Sequence, residues 1–168
     1  ITTLSTRLQG NEISAYHQLD QDGELPLRLP YSHEIGRGNP FLERDLKRFG
    51  NLQGHGTDRM WMIGISGGIP DGTGPGTSPG AGTDCVTLEK REILPNDYWE
   101  KGMCFWDIPG DPGADAMIVA NRYGYRTSGV HTFGDQAYLR VLDAFEQADK
   151  ENPIAGRRFV LDHANMVS

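Results

Sequence analysis

Short apolar runs alternate along the chain with stretches whose apolar residues recur every three or four positions, the pattern of strands alternating with amphipathic helices. Ile1 to Thr3 reads as the tail of a strand. Asn11 to Gln21 reads as a helix, with Ile13, Tyr16, His17 and Leu19 at helical spacing and Gly23 as its stop signal. Leu25 to Leu29 reads as a strand. Residues 40–49 (PFLERDLKRF) read as a helix opened by Asn39 and Pro40, residue types suited to a cap and a first helical position. Met60 to Ser66 (MWMIGIS) is continuously apolar, as expected of a strand covered on both faces. Further on come a helix from Ala114 to Tyr123 with Gly124 past its end, a strand from Thr127 to Thr132, a helix from Asp135 to Lys150 and a strand from Arg158 to Asp162. The helix from Asp135 is the clearest. Its Tyr138, Val141, Leu142 and Phe145 follow the i, i+3, i+4, i+7 pattern, and Asp135 is placed to cap it.

Residues 67–112 break the rhythm. Their first part, GGIPDGTGPGTSPGAGTD, cannot hold a regular element because Gly and Pro interrupt it every few residues. A loop of this length in a compact domain is usually functional or disordered. Asp71 and Asp84 within it read as turn formers. Tyr98, Trp99, Phe105 and Trp106 read either as packing residues or as a contact in a homo-oligomer.

Strands alternating with helices imply the α/β class, with a parallel sheet and right-handed crossovers. The pattern leaves two closures open, a doubly wound sheet or a barrel. No GxGxxG phosphate turn joins a strand to a helix, and the glycines after Ser66 are followed by prolines. With 168 residues, 37% hydrophobic, the chain is long enough for one domain with a core. A net charge of -7 with scattered basic residues argues against a nucleic-acid partner. No apolar run approaches the roughly 20 residues that span a bilayer, so no membrane partner is expected. Cys85 and Cys104 are too few for a disulfide framework and too far apart for a CxxC site, and read as buried or reduced thiols. With no basic-then-apolar leader, the expected compartment is the cytoplasm.

The candidate chemistry centres on histidine. His131, in Val-His-Thr-Phe-Gly-Asp, and His163, in Val-Leu-Asp-His-Ala, each fall at the C-terminal end of an expected strand, one strand–helix unit apart. Ligands of parallel α/β folds bind along that edge. Adjacent strands lie about 4.8 Å apart, so two imidazoles there can reach a common divalent metal. The competing reading is two hydrogen-bonded strand-end residues. Asp135 caps a helix and is a candidate for orienting a metal ligand. Asp162, next to His163, should point to the opposite face of a regular strand. His33 follows a strand closely enough to reach the site, whereas His17 reads as a surface or packing residue and His55 as a turn residue. No Gly-x-Ser-x-Gly elbow supports a serine hydrolase.

From Val130 to Ser168, VHTFGDQAYLRVLDAFEQADKENPIAGRRFVLDHANMVS, the chain resembles a segment of the amidohydrolase superfamily. The similar branch is the YtcJ-like group that includes N-substituted formamide deformylases. There a strand ends in His followed by a Gly-Asp pair, and after a long helix the next strand ends in an acidic-His-Ala triplet. Ile1 to Thr3 and Ala15 to Leu29 resemble the barrel's second strand, following helix and third strand more weakly. The resemblance implies part of a (β/α)8 barrel, about strands two to six, with residues 1–168 as its central segment and 67–112 as an insertion. It implies a metal-dependent hydrolase that opens an amide or related C–N bond of a small-molecule substrate with metal-activated water. His131 would be the strand-five ligand and His163 the strand-six ligand of a divalent metal, expected to be Zn2+.

Two departures qualify that picture. The family's His-x-His on strand one and Asp on strand eight have no counterpart, so the general acid or base has no candidate. The segment alone is then expected to be inactive and to need the remainder of the barrel as its partner. Many relatives also place a carboxylated Lys on strand four, and Met60 to Gly68 contains no Lys, Glu or Cys, which favours one ion, or a bridge supplied from elsewhere, over a Lys-bridged pair. The alternative is a non-catalytic, barrel-derived binding module without metal.

Overall fold

The computed structural model describes residues 1–35, 41–49, 52–67, 70–71, 85, 104–107 and 113–163. Its elements run β1 (Thr6–Leu8), α1 (Gly10–Gln21), β2 (Leu29–Glu34), α2 (Leu42–Phe49), β3 (Met60–Ser66), a short 3-10 turn (Phe105–Asp107), α3 (Gly113–Arg122), β4 (His131–Thr132), α4 (Asp135–Glu151) and β5 (Asp162–His163). The class is α/β, and the pairings between these named strands are parallel.

The strands lie side by side in chain order. β1, β2 and β3 form one sheet and β4 with β5 another. A parallel bridge from Ile65 to Thr127 joins the two, and the amides of Val160 and Asp162 donate to the carbonyls of Thr127 and Val130. A doubly wound sheet reverses its strand order at the switch point. No reversal occurs among these five strands. The sheet also curls, since Arg7 Nε of β1 stands 3.6 Å from Asp162 Oδ2 of β5.

Apolar burial lies on the helical side. Leu8, Leu25, Leu29 and Met60 form one cluster with Ile13 of α1 against it. Leu46, Met62, Ile65, Ala120 and Tyr125 tie α2 and α3 to β3. Met117, Val130, Val141, Ala144 and Phe145 tie α3 and α4 to β4. Each fully buried Leu, Ile, Met or Phe contributes about 1.5–3 kcal/mol through area removed from water. The opposite, concave face is polar. Arg7, Ser32 and Gly64 share a register row across β1, β2 and β3, and the Ser32 and Ser128 hydroxyls meet at 2.7 Å over Gly64.

That crossing depends on Gly64. A Cβ there would collide with the Arg126 carbonyl oxygen and lie 2.6 Å from Ser128 Oγ, and its φ of +155° already disfavours a side chain. The register skips Ile63 at this point, a bulge that reverses which face β3 presents. Met60 and Met62 therefore face the helices before the bulge and Ile65 after it.

Several expected elements move. The expected strand at Leu25 to Leu29 begins only at Leu29 and runs to Glu34, and the one at Ile1 to Thr3 gives way to Thr6–Leu8. Leu25 is buried as a plug in the loop after α1 rather than as a strand residue. The helical spacing in α1 marks no buried face, for no α1 residue is buried and Tyr16 and Leu19 are exposed. Gly134, not Asp135, is the N-cap of α4. Cys85 and Cys104 form a disulfide, correcting the expectation of reduced thiols. Among the described residues no helix is long and apolar enough to cross a membrane.

Candidate functional site

β4 and β5 end together. Their register pairs His131 with Asp162 and Thr132 with His163. Thr132 Oγ1 donates to the Asp162 carbonyl at 2.7 Å, a side-chain clasp that adds to the short ladder. The result is that the His131 and His163 rings stand 4.6 Å apart, edge to face. The structure thus brings the two histidines together.

The carboxylate that orients His131 is Asp71, which sequence reasoning took for a turn former. Asp71 is fully buried, and its Oδ1 lies 2.8 Å from His131 Nδ1. Its Oδ2 accepts from the amides of Phe133 and Gly134, the latter at 2.8 Å. Asp71 therefore also serves the N-terminus of α4, where unpaired amides and the helix dipole favour a negative charge. With Nδ1–H donated to a carboxylate, the His131 tautomer leaves the Nε2 lone pair for a ligand. The only sequence signal for Asp71 was an acidic residue in a loop too long to be a plain connection.

Two more pieces of the insertion dock beside Asp71. The Cys85 carbonyl accepts from Ala137 N in the first turn of α4, and the disulfide packs on Ala137. Asp107 takes Arg140 in a two-pronged pair at 2.7 and 3.1 Å. The β4–α4 corner is thus held from three points of the insertion. Asp84, Tyr98 and Trp99 lie outside the described residues. Trp106 packs against the α3–α4 core.

The remaining candidates separate. Asp135 opens α4, buried, with Oδ1 accepting from Gln136 N at 2.9 Å, while the carboxylate seen on His131 Nδ1 is that of Asp71. His33 pairs in register with Leu8 on one side and Ile65 on the other, both turned toward the helical clusters. Its side chain shares their face, away from the concave side, and burial holds its pKa below the ordinary 6.5. Asp162 does not point away from His163. A φ of +67° at His163 breaks the strand's alternation, and both residues line one cleft of about 490 Å³ with Ser32, Ser128 and Arg7. Ser66 ends β3 fully buried, its hydroxyl without a partner among the described residues.

Two imidazoles at adjacent strand ends, one fixed by a buried carboxylate, are donors of the kind a divalent metal takes. Among the described residues no group of three His, Cys, Asp or Glu gathers around a common point. Ligands beyond His131 and His163 would come from other parts of the polypeptide.

No family model and no curated protein matches the sequence. The fold is similar to that of an uncharacterized metal-dependent hydrolase from Pyrococcus horikoshii OT3, at 18% identity and a TM-score of 0.64 over 100% of this chain and 30% of that one. It is also similar to an uncharacterized metal-dependent hydrolase from Pyrococcus furiosus, at 21% identity and a TM-score of 0.55 over 99% of this chain and 30% of that one. The chain spans about 30% of the length of these two structures, and the likeness is one of fold.

Proposed function

We propose that this chain is the central part of a (β/α)8-type barrel hydrolase, in which His131 and His163 hold a single divalent metal, zinc in our reading. The reaction would be hydrolysis of an amide or related C–N bond in a small molecule. The observation that carries the reading is the apposition of the two rings at the ends of β4 and β5, with Asp71 on Nδ1 of one of them. The unreversed strand order and the reach of Arg7 to Asp162 across the concave face support the barrel. Both fold neighbours are named metal-dependent hydrolases, which supports the chemistry.

A bound metal would polarise the scissile carbonyl and lower the pKa of water toward about 7. The chain's own residues do the positioning. Asp71 fixes the His131 tautomer and ring plane, Thr132 clasps β4 to β5, and the left-handed backbone at His163 sets its ring beside that of His131. The absence of a three-residue donor group among the described residues favours one other reading, a barrel-derived binding module without metal.

Metal analysis of the purified complete protein, with the remainder of the barrel present, separates the two. Stoichiometric zinc, iron or manganese that is lost in the His131→Ala/His163→Ala double variant, together with amide hydrolysis, supports the hydrolase. Metal content and turnover unchanged by the double substitution would overturn it.

A further inference from the structure

Arg7 has an unsatisfied donor. Among the described residues its Nη1 is buried with no hydrogen-bond partner, while its Nε faces Asp162 at 3.6 Å, longer than a hydrogen bond. A buried guanidinium N–H left unpaired costs at least as much as a neutral donor, so an acceptor is expected at that point. The side chain stands in the cleft of about 490 Å³ that His163 also lines.

The cleft is kept open by what its walls lack. Gly64 leaves room over which Ser32 and Ser128 bond, and a Cβ on Gly129 would stand 3.0 Å from Asp162 Oδ2. Ser5, Thr6, Ser32 and Ser128 make the cleft around Arg7 polar, with Thr6 Oγ1 donating to the Arg7 carbonyl and Ser32 bonded to Ser128. Charge narrows the choice further. Beside Asp162, the single charge of a monoanion is repelled less than the two of a dianionic phosphate. Guanidinium recognises planar carboxylates well.

We propose that Arg7 is a specificity-determining residue that receives a carboxylate of the substrate, so that the hydrolysed amide belongs to a small molecule with an acidic end. The inference rests on the reading of His163 as part of the hydrolase site, which places the scissile bond at the same cleft. It assigns the carboxylate to the solvent-exposed part of the Arg7 guanidinium, with the amide directed toward the His131 and His163 edge.

The test compares two probes that differ only in that charge, N-acetylglycinate and N-acetylglycinamide. Their affinities are measured by calorimetry on the chelator-treated protein, so the outcome does not depend on a metal. The wild type is expected to prefer the carboxylate by about tenfold or more, the lower end for a charge-assisted hydrogen bond. Arg7→Met should abolish the preference and Arg7→Lys keep part of it. Absence of a preference in the wild type, or its persistence in Arg7→Met, overturns the proposal and leaves the metal reading untouched. If Arg7→Met does not fold, the Arg7 guanidinium resonances of the wild type replace it. They should shift with N-acetylglycinate and not with the amide, and no difference between the two overturns the proposal.

Discussion

Asp71 and His131, 60 residues apart in the chain, meet with Oδ1 2.8 Å from Nδ1. This pair makes the site a product of two parts of the sequence, a strand end and an insertion. It also couples the site to helix stability, because the same carboxylate accepts the amides that precede α4.

Asp71→Asn is therefore expected to hurt twice. Three donors converge on the carboxylate, and an amide of the same shape would turn its own NH2 toward at least one of them. The expected cost is about 1–3 kcal/mol in urea unfolding, with a fall of about 10–100-fold in zinc affinity. Both are measured directly, the second by competition with a chelating dye. If neither changes, Asp71 only forms a turn.

Reduction of the Cys85–Cys104 disulfide should destabilise the chain. The cysteines are 19 residues apart, and closing a loop of that size is worth about 3 kcal/mol. The insertion that the bridge secures also supplies Asp71, so zinc affinity should weaken in parallel. Thermal melting and zinc titration with and without dithiothreitol check both. A stability loss with unchanged affinity would show that Asp71 holds its place without the bridge.

Gly64→Ala is expected to cost about 3 kcal/mol or more, combining an unfavourable backbone angle with overpacking against Ser128 and the Arg126 carbonyl. Ser128→Ala in the same background should recover part of this by removing the hydroxyl, and nothing of the backbone component. Urea midpoints of the wild type and these two variants decide it.

His33 should make the fold acid-sensitive. Burial lowers its folded pKa below 6.5, so the unfolded chain takes up its proton first as pH falls. Its contribution is intact above about pH 6.5 and is lost as pH drops from there toward the folded pKa. The wild type should thus lose stability more steeply between about pH 7 and 5 than His33→Gln. Parallel curves would mean that His33 does not sit half-buried as the fold places it.

The parts of the fold that were legible share a physical cause. Met60–Ser66 matches its expected bounds because its run is apolar throughout, and α4 stands out because Val141, Ala144 and Phe145 recur at the spacing of a buried stripe. The strands that lie further toward the C-terminus than the apolar pattern places them are those that carry polar residues facing the cleft. Arg7, Ser32 and Asp162 turn to the cleft, so the hydrophobic pattern stops before the strand does. The binding face of a sheet hides itself from a reading based on apolar runs.

The candidate site was half legible for the same reason. His131 and His163 could be found from position alone, at equivalent points in successive strand–helix units. Asp71 could not, since its role depends on a chain reversal that no periodicity encodes, and Asp135 looked equally suited from its spacing. Arg7 gave no signal of its own. Its importance comes from the curl that carries β1 toward β5, a property of the whole sheet.

The bridge between Cys85 and Cys104 also offers a clock. Both cysteines are buried, at 0% and 4% exposure, against the first turn of α4. A dissolved thiol can attack only after the insertion lifts away, so the rate of reduction follows how often that local opening occurs. Zinc or substrate that steadies the His131 corner would slow the reaction, whereas molecules bound elsewhere would leave it unchanged. Occupancy could then be read from the kinetics of a single covalent bond, before any turnover has been detected.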